Sequence, residues 1–208
     1  MLVVGAKGHA KEIIEIINES YTDGSVAFFD NVSKDLPELI YGKYKVINSI
    51  EKVKDFFNSD PVFVLGIGGC KVRYDLCMLM EQSGGQLESV ITKFSKIGSY
   101  KVDLEQGLNI MHNVFISNDV RVGRGTLINA GCQIHHDVTI GKFCEISPGT
   151  IINGNVIIDD FTRIGSRVTI IPKVKVGKNV IIGAGAVVTK DIPDNCTAVG
   201  IPAKIIKS

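Results

Sequence analysis

From Leu104 to Val188 a Leu, Ile or Val recurs at every sixth position, fifteen times in succession without an insertion. Four residues after these positions stand small or aliphatic side chains, among them Thr126, Cys132, Val138, Cys144, Thr150 and Ala186. The residue directly after is often Gly, Asn, Asp or Ser, as at Gly123, Gly141, Gly165, Gly177 and Gly183. A fixed six-residue repeat is the mark of a parallel β-helix, each hexad supplying one short strand and a corner. The aliphatic and the small residue point inward, and the rest face out. Three hexads per turn predict five coils stacked at about 4.8 Å, a prism roughly 24 Å tall.

Residues 1–88 follow other periods. "LVVGAKGHA" is a short apolar run broken by glycine, and "HAKEIIEIINES" continues with apolar residues at Ile13, Ile14, Ile16 and Ile17. That pattern predicts strand, glycine turn and amphipathic helix. "SVAFFD" reads as a second strand, "SIEKVKDFF" as a helix, "PVFVLGIGG" as a buried strand, and "CKVRYDLCMLMEQSGG" as a helix closed by glycines. Alternating strands and helices predict a small parallel sheet covered on both faces, an α/β domain over 1–88. The β-helix and a C-terminal cap then occupy 89–208.

Composition narrows the function. The 23 basic and 22 acidic residues nearly cancel and form no basic cluster, which argues against nucleic acid as a partner. The five cysteines (70, 77, 132, 144, 196) are odd in number and form no CxxC pair. Together with the lack of a secretory leader or an apolar run of membrane length, they predict reduced thiols in a soluble, cytoplasmic protein. Cys132 and Cys144 fall on inward small-residue positions, so packing accounts for them.

The stretch "QIHHDVTIG" at 133–141 sets two of the four histidines side by side between the inward Ile134 and Val138. Two surface histidines without chemistry are the plain reading of that doublet. The wider set "VVGAKGHAKEII", "FFDN", "LGIGG", "INAGCQIHHDVTIG" and "AVGIPAKII" resembles the bacterial nucleotide-sugar N-acetyltransferases. Those enzymes join a Rossmann-like domain to a left-handed β-helix of hexapeptide repeats. The UDP-4-amino-sugar and perosamine N-acetyltransferases match most closely, and sialic acid O-acetyltransferase-like proteins share the layout. The hexads alone specify only a fold with many functions.

The resemblance implies site residues one by one. His136 takes the place of the catalytic base, and Asp137 that of the acid that raises its basicity. A sugar amine attacks a thioester only through a neutral nitrogen, so a base must take its proton, and imidazole suits that task near neutral pH. A carboxylate on the other ring nitrogen fixes the tautomer. His135 receives no role. Asn129 matches an asparagine near the reacting sugar, although a corner position also favours asparagine. Glu145, in "CEISPG", departs from a family histidine on the thioester side of acetyl-CoA, a donor contact that a carboxylate cannot make unless protonated. Ser166 and Ala184 fall on positions touching the CoA arm, and "GAGAVV" and "GIPAK" on the coil and cap beyond it. On the acceptor side, Lys7, Gly8 and His9 fall near the diphosphate, Asp30 and Asn31 near the nucleoside, and Gly68 where the backbone approaches it. The GxxG spacing of "GAKGHA" is a poor dinucleotide fingerprint, yet a strand-to-helix turn aims N–H groups at phosphate.

The expectation is an acetyl-CoA-dependent N-acetyltransferase, without a metal, that acts on the amine of a nucleotide-linked amino sugar. The acceptor would be of the UDP-4-amino-4,6-dideoxy-sugar type. The family implies a homotrimer with CoA between neighbouring subunits. O-acetylation of a sialic acid or another sugar hydroxyl is the alternative within the enzyme class. A zinc β-helix of the γ-carbonic anhydrase type needs three converging histidines, whereas the helix has His112, His135 and His136 with the last two diverging. A non-catalytic sugar-nucleotide-binding protein is the third possibility.

Overall fold

The computed structural model describes residues 1–20 and 26–207; Ser25, at the head of the expected second strand, lies outside them. In the N-terminal half, β1 (Leu2–Val4), α1 (Gly8–Ser20), β2 (Ala27–Phe29), β3 (Leu39–Ile40), β4 (Tyr44–Ile47), α2 (Ile50–Phe57), β5 (Val62–Leu65), α3 (Cys70–Gln82) and β6 (Gln86–Leu87) follow in order. The sheet order is β3-β4-β2-β1-β5-β6, parallel throughout except for the β3–β4 hairpin. Its central strands β1, β2 and β5 are apolar on both faces, as a sheet buried between helices demands. Ser49 caps α2 by accepting the Lys52 N–H. The hairpin and β6 are the elements the periodicity does not show. Tyr41 and Gly42 both have positive φ, and the Tyr-Gly pair between "LI" and "KYKVI" is the available turn signal.

From Val90 the chain winds into a left-handed β-helix with two-residue strands on three faces. The first face carries Asn109–Ile110, Leu127–Ile128, Glu145–Ile146, Arg163–Ile164 and Ile181–Ile182 in parallel register, eighteen residues apart. The second carries Phe115–Ile116, Gln133–Ile134, Ile151–Ile152, Thr169–Ile170 and Val187–Val188. The third carries Arg121–Val122, Thr139–Ile140, Ile157–Ile158 and Lys175–Val176. Both inward sets are buried into one continuous core, including Thr126, Cys132, Cys144 and Thr162. The thiols are inert there; burial pushes Cys132 up to about 11 and Cys144 higher still.

The solenoid starts two strands before the fifteen-fold repeat, with Val90–Ile91 and Lys96–Ile97, and Asp103–Leu104 completes this first coil. Seven residues rather than six separate Ile97 from Leu104, which hides these two strands from a strict hexad count. The second face is therefore six strands long, not five. The bend of each corner falls three residues after the inward aliphatic. There Asn113, Asp119, Asp137, Asn155 and Asn179 take φ between 55° and 62°, a left-handed conformation that Asn and Asp tolerate.

The α/β half sits on the first face. Asn109, Leu127 and Glu145, outward-pointing there, are buried beneath it. At the corner between the third and first faces, Tyr74 of α3 meets Phe143 and Phe161 edge-on at 5.2 and 5.6 Å, while those two rings stack at 5.9 Å. At the corner between the first and second faces, Glu19 of α1 accepts hydrogen bonds from His112 Nε2 (2.7 Å) and Thr92 Oγ1 (2.9 Å). Between these clamps Arg73 is fully buried. It donates to the carbonyls of Gly125 and Ile67 and to Asn109 Oδ1, so one guanidinium ties both halves together.

Among the described residues no helix is long and apolar enough to cross a membrane, and no group of three His, Cys, Asp or Glu could hold a metal ion.

Candidate active site

The sheet order reverses between β1 and β5, and a crevice opens at the carboxyl ends of those strands, where α/β sheets hold ligands. It has a volume of about 550 Å³ and is lined by Lys7, Gly8, His9, Asp30, Asn31 and Gly68, together with neighbouring backbone. Six sequence-picked residues from three separate loops thus share one cleft. Gly5 opens the first loop with φ 112°, and a Cβ there would stand 2.7 Å from the Gly66 carbonyl oxygen, so only glycine lets these two strand ends approach.

Within the cleft the polar groups differ in freedom. Asp30 folds back on its own loop, accepting from the N–H of Val32 (3.0 Å) and Ser33 (2.8 Å) and from Ser33 Oγ (3.0 Å). These bonds hold its carboxyl below the usual range against the opposing effect of burial. Its first task is therefore to shape the loop that presents Asn31. His9 donates Nδ1–H to Glu12 at 3.1 Å, and its Nε2 is buried with no hydrogen-bond partner among the described residues. Burial lowers the His9 pKa, against the opposing hydrogen bond to Glu12.

His136 stands on the corner between the second and third faces, its side chain 61 % exposed. Its Nδ1 donates to Asp137 Oδ2 at 2.7 Å. Adjacent residues in a strand diverge, but Asp137 is the bend of the corner, with φ 59°, and that turn brings its carboxylate alongside the ring. The imidazole lies over Gly154, one coil further on. A Cβ at 154 would come within 2.5 Å of His136 Cε1 and 2.7 Å of Nε2. Gly154 is not in the left-handed region, so room for the ring is what glycine provides there. The hexad reading missed it, although a position eighteen residues after a candidate base was the available signal. His135 packs edge-on against Phe115 instead.

The remaining candidates lie elsewhere on the prism. Asn129 donates from Nδ2 to the Ile146 carbonyl at 3.2 Å, and Asn153 does the same to Ile170 at 2.7 Å. Asn129 therefore has a corner-bracing role. Ser166 and Ala184 stack on the corner between the first and second faces, where the Ser166 carbonyl accepts from the Gly185 N–H. Glu145, expected on the donor side, points under the α/β half. It accepts the Gly69 N–H at 2.6 Å and pairs with Arg163 Nε at 3.5 Å. Its carboxylate oxygen would lie 3.4 Å from a Cβ on Gly68, which places it beside the cleft in this chain.

Residues 1–79 match the family described as the PglD N-terminal domain, and residues 119–154 and 155–190 match bacterial transferase hexapeptide (six repeats). No curated protein sequence matches the chain significantly. Among solved structures, a variant of perosamine N-acetyltransferase from Caulobacter crescentus, in complex with CoA and GDP-perosamine, is similar at 26 % identity. That match has a TM-score of 0.88 over 100 % of this chain and 96 % of the other. WeeI from Acinetobacter baumannii is 28 % identical, with a TM-score of 0.89 over 99 % and 98 % of the two chains. The acetyltransferase domain of PglB from Neisseria gonorrhoeae, in complex with acetyl coenzyme A, is 26 % identical at a TM-score of 0.87 over 99 % and 98 %.

Proposed function

Given that this chain belongs to the hexapeptide-repeat acetyltransferases carrying a PglD-type N-terminal domain, we propose that it acetylates the amine of a nucleotide-linked amino-deoxy sugar, with His136 as general base. Acetyl-CoA is its co-substrate. The observation that carries the reading is the His136–Asp137 pair, 2.7 Å apart at an exposed corner. Asp137 holds the Nδ1 proton, so Nε2 keeps its lone pair for the attacking amine. As the C–N bond forms at the thioester carbonyl, Nε2 takes the amine proton. The imidazolium, stabilised by Asp137, then returns that proton to the departing CoA sulfur as the C–S bond breaks. No acyl-enzyme is needed, and the inward Cys132 and Cys144 are too buried to act as nucleophiles.

The switch-point cleft receives the nucleotide diphosphate, with the N–H groups at the start of α1 and the Lys7 ammonium supplying positive potential. The acceptor is of the UDP-4-amino-4,6-dideoxy-sugar type. The α/β half covers the first face and clamps the two corners that bound it, while His136 occupies the opposite corner. Cleft and base therefore face away from each other within one chain. In this reading a second copy completes the site, in a closed C3 ring of three-sided prisms. The donor arm then runs between the Ser166–Ala184 corner of one copy and the His136 corner of the next.

Thiol release from acetyl-CoA across a panel of UDP- and GDP-linked amino sugars tests this reading. Turnover with an amino sugar and none with its hydroxyl counterpart is expected; acetylation of free sialic acid alone would replace it with the O-acetyl reading.

A further inference from the structure

α3 begins at a glycine. Gly69, at its N-cap, has φ 85° and offers no side chain to cap the helix. The acceptor comes from the other half of the molecule: Glu145 reaches up from the first face and takes the Gly69 N–H at 2.6 Å. A glutamate accepting an N-cap N–H is half of a capping box, here supplied across a domain junction. The carboxylate is 8 % exposed and adds a negative charge at a helix N-terminus, where it is favoured. It is also a nearby counter-charge to the buried Arg73, which burial pulls down to about 10 while Glu145 opposes that change. Arg73 in turn donates to the Ile67 carbonyl at 2.7 Å. The 66–69 turn, which forms one wall of the cleft, is therefore held by Arg73 from α3 and by Glu145 from the β-helix.

We propose that Glu145 is a positioning residue for the acceptor: it fixes the 66–69 turn of the nucleotide cleft and so governs nucleotide binding rather than acyl-donor binding. The inference rests on the reading that this cleft takes the nucleotide.

Wild type, Glu145→Ala and Glu145→Gln, each as the full chain, separate the possibilities. Removing a buried charged acceptor should weaken UDP or GDP binding about tenfold in Glu145→Ala and leave the Kd for CoA within about twofold. In turnover, the acceptor KM should rise and the acetyl-CoA KM should not. The amides of residues 66–73 should exchange faster in Glu145→Ala without nucleotide. Glu145→Gln, which keeps an oxygen for the Gly69 N–H, should restore most of both effects. A raised acetyl-CoA KM with unchanged nucleotide binding would overturn the proposal, as would unchanged exchange at 66–73. If wild type binds neither UDP nor GDP, the cleft reading fails. Glu145 as keeper of the turn then stands or falls by the exchange alone.

Discussion

The two halves of this molecule meet the same requirement, a buried core, in opposite ways. In the α/β half the core is spread over strands and helices of different lengths, and the loops at the carboxyl ends of β1, β2 and β5 are free to differ from one another. In the β-helix almost every hexad commits two residues to the core and one to a left-handed bend. Chemistry there is confined to what remains, chiefly the residues next to the bend. His136 and Asp137 use both: the histidine precedes the bend, and the aspartate is the bend. A regular solenoid thus offers a rigid, predictably spaced seat for the proposed base, while the irregular half supplies a cleft whose shape is open to change.

The largest way to sharpen this contrast is to remove the proposed base. His136→Ala touches no core residue, so assembly and CoA binding should persist while kcat falls by about 10³, within the usual range for losing a general base. Near-wild-type kcat, measured by thiol release, would remove the dyad from the mechanism. Next is the seam between the halves. Phe143 is buried between Tyr74, Phe161 and the corner, and Phe143→Ala should cost about 3 kcal/mol in denaturant unfolding. An unchanged unfolding midpoint would mean that the aromatic clamp does not hold the halves together.

Smaller effects test finer points. Gly154→Ala should displace the His136 ring without disturbing the backbone, lowering kcat about tenfold with little change in Tm; intact kcat would show that the ring does not need its seat on Gly154. On the α/β side, burial lowers the His9 pKa in the folded state, whereas the unfolded chain protonates it in the ordinary imidazole range. The unfolded state binds the extra proton, so His9 costs stability as pH falls from about 7 to about 5. His9→Gln should flatten that part of the stability–pH curve, and denaturant midpoints at the two pH values measure it.

What could be read from the sequence followed the same division. The β-helix was legible because its core positions repeat, down to the inward Cys132 and Cys144. Its first two strands were not, because one extra residue between Ile97 and Leu104 breaks the count. The cleft residues came from the resemblance carried by "GAKGHA", "FFDN" and "LGIGG", and they line one cavity. The state of each was not legible: Asp30 spends its oxygens on its own loop, and His9 has Glu12 as a partner. Glu145 was the least legible. Its neighbour Gly69 is 76 positions away in the chain, and only the docking of one half on the other brings them together.

The central claim is that cleft and base, on opposite sides of one chain, work across two copies. Gly8→Trp fills the cleft from a position where an added Cβ meets nothing within 4 Å, so it should fold yet lose the acceptor. His136→Ala loses the base. Each variant alone should be inactive, and assemblies mixed from both should regain acetyl transfer, because some pairs then join an intact cleft to an intact His136. Mixed assemblies as inactive as either parent would contradict the account.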